Sequence, residues 1–252
     1  MPLDLARISV MKRSAFCLIA IISIAGVVLF CVWQHEPRCR PSTFDGVHEG
    51  LRCLACSPDG HTFITGGTHG DLQLWDVSKN SVFRRIVTGH DGVTAVAYSA
   101  DGSIVASGGE EGTVKIWDTT NWRERAALAK SSTVLSLLFT NEANVLAIGE
   151  VTGEIRIYDP KAGVQMGSLK GHTEQVFSMS FCPQTNMLAS ASGDGSVRLW
   201  SVKDRVETGV LRGQNGRIKS VLLLPDGKSI LFGDEIGSVE LWNISGRQLL
   251  RA

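Results

Sequence analysis

Residues 193–200 read GDGSVRLW, residues 110–117 read EEGTVKIW and residues 69–75 read HGDLQLW. Each is a glycine-containing turn followed by a short alternating run that ends on an aromatic. Aligning on that aromatic extends the series to Trp75, Trp117, Tyr158, Trp200 and Trp242, at spacings of 42, 41, 42 and 42 residues. Self-similarity at such a period is the mark of a repeat architecture and takes precedence over local readings.

Each unit has the same order of parts. An alternating or apolar run comes first, as in VTAVAYS (93–99) or IKSVLLL (218–224). A turn follows, PDG at 58–60 and 225–227 and ADG at 100–102. Here Asp bonds the local backbone and Gly accepts a positive φ. A second run, such as IVASGG, leads through a Gly turn to the third, which ends in the aromatic. A more polar fourth run closes the unit, for example SVFRRIVTG (81–89). Four short antiparallel strands in about 42 residues make one propeller blade. The predicted fold class is all-β, with about five four-stranded blades over units 48–89, 90–130, 131–171, 172–213 and 214–252.

The pattern resembles the WD40 repeat. It carries GH at 89–90 and 171–172, WD at 75–76 and 117–118, and YD at 158–159. The resemblance implies a hydrogen-bonded network in each blade. His172, Ser190, Asp194 and Trp200 match it at every position. Unit two has His90, Ser107 and Trp117, with Glu111 in the Asp slot. Unit one has His48, Thr65 and Trp75, with His69 there instead. Unit three, with Ser131, Ile148, Thr152 and Tyr158, reads as a lost network. Unit five, with Gln214, Phe232, Ile236 and Trp242, reads as an apolar replacement. The aromatics and the GH histidines are expected to be core rather than ligands.

The N-terminus has a different character. Residues 15–33, AFCLIAIISIAGVVLFCVW, contain no charge. As a helix they would reach about 28 Å, close to the ~30 Å hydrocarbon core. Lys12 and Arg13 precede the run and Trp33 ends it, as the flanks of a membrane span do. The expectation is a basic segment (1–14), an uncleaved single-pass anchor (15–33) and a linker (34–41), with the propeller at 42–252. The alternative is a signal peptide cut after Ala25 and a secreted domain. Lys12 and Arg13 place the N-terminus in the cytoplasm, whereas Arg38 and Arg40 pull the other way.

The 25 basic and 25 acidic residues balance. Because residues 1–40 are net basic, the main domain is weakly acidic, and no nucleic-acid partner is expected. Cys53 and Cys56 form a lone CxxC with no second pair, so no metal site is expected. No GxSxG, HExxH, P-loop or GxGxxG motif is present, so no catalytic residue or cofactor is assigned and no enzyme is expected.

The remaining candidate is a rim. Glu49, Asp91, Glu110, Glu111, Glu174 and Arg217 fall in loops at one end of the units, with His48, Gln175 and Asn215. A mostly acidic rim suits a protein partner with basic side chains. The reading is a membrane-tethered scaffold for protein–protein interaction. Its alternatives are a ligand-sensing or catalytic propeller using the central channel, and a fragmentary repeat protein that needs oligomerisation. Residues 42–47 are expected to pair with the last unit and close a five-bladed ring; the rival is an open arc of five units that self-associates or belongs to a longer ancestral chain.

Overall fold

Alternating runs between Gly turns favour antiparallel strands with one or both faces in a core. The computed structural model describes residues 20–22, 28–30, 50–128, 130–140 and 145–251. The chain divides into two compact units, Met1–Gly46 and Val47–Ala252. In the first, Ala20–Ile22 and Val28–Phe30 pair as short antiparallel strands. Of the stretch 15–33, expected to be a helix, these six residues are the part the structure describes. The rest of that stretch lies outside the described residues. Among the described residues no helix is long and apolar enough to cross a membrane.

The second unit is five four-stranded antiparallel sheets, each with its strands in chain order. The first sheet is Leu51–Cys56, Thr62–Gly67, Asp71–Asp76 and Ser81–Val87. The second is Val93–Tyr98, Ile104–Gly109, Val114–Asp118 and Glu124–Leu128. The third is Val134–Phe139, Leu146–Glu150, Ile155–Asp159 and Val164–Leu169. The fourth is Val176–Cys182, Met187–Ser192, Ser196–Ser201 and Val206–Arg212. The fifth is Ile218–Leu223, Ser229–Asp234, Val239–Asn243 and Gln248–Arg251.

The inner strand of each sheet packs on the inner strand of the next, from the first sheet to the fifth. The register slips at one place in every inner pair, between Leu51/Cys53, Val93/Ala95, Val134/Ser136, Val176/Ser178 and Ile218/Ser220. Such bulges bend a strand and raise its twist, and here they recur with the repeat. The turn before each third strand is fixed by glycine. Gly112 has φ +84°, and a Cβ there would lie 2.4 Å from the Ser131 carbonyl oxygen of the next unit.

The repeated aromatic is a wedge against the preceding sheet. Trp117 joins Ile64, Leu72 and Leu74 of the first sheet. Trp200 joins Ile155, Ile157 and Leu169 of the third. Trp242 packs on Val197, Leu199 and Leu211 of the fourth. Burying an aromatic of this size is the largest apolar contribution a blade has.

The last sheet breaks the pattern on its far face. Leu72, Val114, Ile155 and Val197 are fully buried at one equivalent position, but Val239 is 61% exposed there and Leu222 nearby is 39% exposed. The fourth strand of this sheet is formed by Gln248–Arg251 and pairs through Leu241↔Arg251. Residues 42–47, expected to close the ring, lie outside the described residues. Among the described residues, the inner strands of the fifth and first sheets make no packing like that between neighbours.

Candidate functional site

The buried polar side chains define the chemistry. In the fourth sheet, His172 Nδ1 is 2.9 Å from Asp194 Oδ2 and its Nε2 is 2.7 Å from Ser190 Oγ. A carboxylate only accepts, so Nδ1–H donates to Asp194. With one ring proton, the Ser190 hydroxyl donates to Nε2. Ser190 Oγ in turn accepts the Trp200 Nε1–H at 2.8 Å. Every member thus has a partner, as a buried polar set requires.

The second sheet repeats the set with Glu111 reaching His90 Nδ1, Ser107 Oγ 2.9 Å from His90 Nε2, and the Trp117 indole donating to Ser107 at 2.9 Å. In the first sheet the Trp75 indole donates to Thr65 Oγ1 at 3.0 Å. His69 is exposed in its turn, and His48 lies outside the described residues.

Units three and five are not apolar or empty at this place. In unit three, Glu150 and Arg156, 1% and 4% exposed, pair at 2.6 Å. Ser131 donates to Glu150 Oε2 at 3.3 Å, and Arg156 Nη1 donates to the Tyr158 oxygen at 3.2 Å. In unit five, buried Glu240 accepts the Trp242 indole N–H at 2.8 Å and the Gln214 backbone N–H at 3.0 Å. The family's serine slot held Ile148 and Phe232, so the sequence reading missed both sets. Strand alternation contained the signal: residues 156 and 240 lie two before the aromatic, on its own face.

Burial acts to raise the Asp194 carboxyl, but the bonds from His172, Ser196 and the Thr173 N–H outweigh it and hold the group well below the usual carboxylate range. Burial also opposes the charged form of Glu111, and His90 with the Asp91 N–H overcomes it to lower that pKa. A carboxylate lowered on folding contributes stability that is present above its unfolded value and lost as pH falls through its folded one. Asp194→Asn is therefore expected to destabilise the chain at neutral pH and to reduce its loss of stability below about pH 4. Urea unfolding across a pH series checks this, and parallel curves for the two proteins would refute it.

The rim acids are largely paired with one another's neighbours. Glu110 bonds Arg52 of the adjoining sheet, and Glu174 lies 3.6 Å from Arg217. Glu111 belongs to the His90 network. Asp91 is exposed on the same rim, and Glu49 lies outside the described residues. Exposed pairs of this kind contribute at most about 1 kcal/mol, but they lower the net charge that the rim presents. Burial pushes the thiols of both Cys53 and Cys56 up to about 12.

A family model described as WD domain, G-beta repeat matches residues 40–76, 81–118 and 163–201. These segments fall in units one, two and four, where the indole donates to Ser or Thr. A comparison with curated proteins returns no match. Units three and five keep the strand order, the aromatic wedge and the bulges with different polar partners. WD40 repeats are thus matched at three places in an all-β array of five four-stranded sheets, an arrangement consistent with a WD40 β-propeller.

Proposed function

We propose that this chain is a membrane-tethered WD40 scaffold that holds a partner protein at the rim carrying Asp91, Glu110 and Glu174. WD40 propellers serve in general as protein-interaction scaffolds. The observation that carries the reading is that the buried polar groups of four blades are spent on their own aromatic or histidine or on each other, which leaves surface as the working part. The tether rests on the uncharged residues 15–33 and their basic flank. The partner's contact segment is basic, because exposed carboxylates recognise it by charge complementarity.

Crosslinked purification of the full chain from its native cells tests this. The expected result is a stoichiometric partner in the membrane fraction, lost in Asp91→Lys/Glu110→Lys. An undiminished partner in that variant would remove the rim from the proposal, and recovery only from the soluble fraction would remove the tether. A second reading, self-association, is favoured by the uncovered far face of the fifth sheet. It predicts that only this chain is recovered, at a mass of several copies.

A further inference from the structure

A groove of about 570 Å³ lies between the first and second sheets. It is built from turns between first and second strands and between third and fourth strands, so it sits at the end of the units opposite the acidic rim. Its walls include Phe83, Tyr98 and Trp122, together with Asp59 and Asp101.

Tyr98 and Trp122 pack partly against the core between the first two sheets, but the turn itself does not call for a bulky ring at 122. Residue 122 is the fifth after the repeated aromatic, and its equivalents are Asn80, Gly163, Arg205 and Arg247. All have positive φ, Gly163 included, and Trp122 itself has φ +58°. Glycine or asparagine fits that conformation, whereas a bulky aromatic is an outlier there. Phe83, on the outer strand of the first sheet, is 52% exposed. A strained Trp122 and an exposed Phe83 facing one groove suggest a ligand contact in addition to packing.

The carboxylates are held in place by hydrogen bonds. Asp59 Oδ1 accepts from the Ser57 hydroxyl at 2.6 Å and the His61 N–H at 2.9 Å. These bonds outweigh burial and lower its pKa, and both leave Oδ2 available. Asp101 Oδ1 accepts from Ser99 and Ser103 hydroxyls at 2.6 and 2.8 Å. The Tyr98 hydroxyl sits 3.5 Å from Thr62 Oγ1. Its phenol is pushed up to about 12 by burial and then by the charge of Asp59, which places that charge beside the ring.

We propose that this groove binds an arginine side chain from an extended segment of a partner protein. The guanidinium plane stacks on aromatic rings and donates in pairs to a carboxylate. Two fixed negative charges and three rings in one groove meet both requirements. A phosphate-bearing ligand would be repelled. The inference stands apart from the rim proposal, because the two sites share no residue.

The test uses the full chain in detergent, labelled with fluorotryptophan and observed by fluorine NMR. The probe is a short Ser/Gly peptide with two arginines, and its counterpart carries citrulline, which is uncharged. The Trp122 signal, assigned by its absence in Trp122→Gly, is expected to shift saturably with the arginine peptide only. Asp59→Asn/Asp101→Asn is expected to weaken binding by roughly tenfold or more with the other tryptophan signals unmoved. Trp122→Gly suits the turn, so it should stay folded and lose binding, read by anisotropy of a labelled peptide. Equal shifts with citrulline, a lysine peptide that binds as well, unchanged affinity in the double variant, or a Trp122 signal that never moves would each overturn the assignment.

Discussion

Trp200→Ala is expected to lower the unfolding free energy by about 3–5 kcal/mol, the range for removing a buried Trp. Trp200 is 2% exposed and fills the space between the fourth sheet and Ile155, Ile157 and Leu169 of the third. Alanine leaves a cavity there and deprives Ser190 of the indole donor. The same change at Trp242 is expected to cost less, because that ring is only partly buried. Urea unfolding of both variants provides the comparison. Equal losses would mean that the wedge does not depend on its position in the array.

Arg156→Ala is expected to cost a similar amount, about 3–5 kcal/mol, because it leaves Glu150 buried without its cation. Burial already holds the Glu150 carboxyl above its ordinary value, while Arg156 and Ser131 pull it back. A carboxyl raised on folding binds more protons in the native state, so its contribution falls as pH rises from the unfolded value through the folded one. The deficit of Arg156→Ala should therefore be largest at neutral pH and shrink in acid, where Glu150 takes up a proton. This is opposite in sign to the behaviour of Asp194. Glu150→Leu/Arg156→Met is expected to recover most of the loss, since replacing both partners removes the uncompensated charge. If the single and double variants unfold at the same urea concentration, the pair is not coupled.

The strand order was legible because each unit needs the same turn chemistry and the same wedge. The aromatic spacing and the Asp-Gly turns appear in the sequence whatever fills the polar slots. The His172 set was legible for the same reason, since all four members stand where the family has them. Glu150, Arg156 and Glu240 were not, because a slot-by-slot comparison looks for Ser or Thr at 148 and 232. The structure instead satisfies both aromatics from two residues upstream, Tyr158 by Arg156 and Trp242 by Glu240. The groove was also hidden. Trp122 lies in a turn, where no periodicity marks it, and its relation to Asp59 and Tyr98 appears only once adjacent sheets pack. The rim acids were visible as residues, but their pairing with Arg52 and Arg217 was not, because it joins neighbouring units.

The exposed far face of the fifth sheet gives the array a direction. Among the described residues, interior sheets hold two neighbours, whereas the fifth holds one, and in a nearest-neighbour stack stability is a sum over such contacts. Detaching the fifth sheet breaks a single interface, while opening the third breaks two. Amide hydrogen exchange should accordingly run as a gradient, fastest in 229–251 and slowest in the central sheets. A molecule that covered Val239 and Leu222 would raise protection first at that end, and by mass action would carry part of the gain inward.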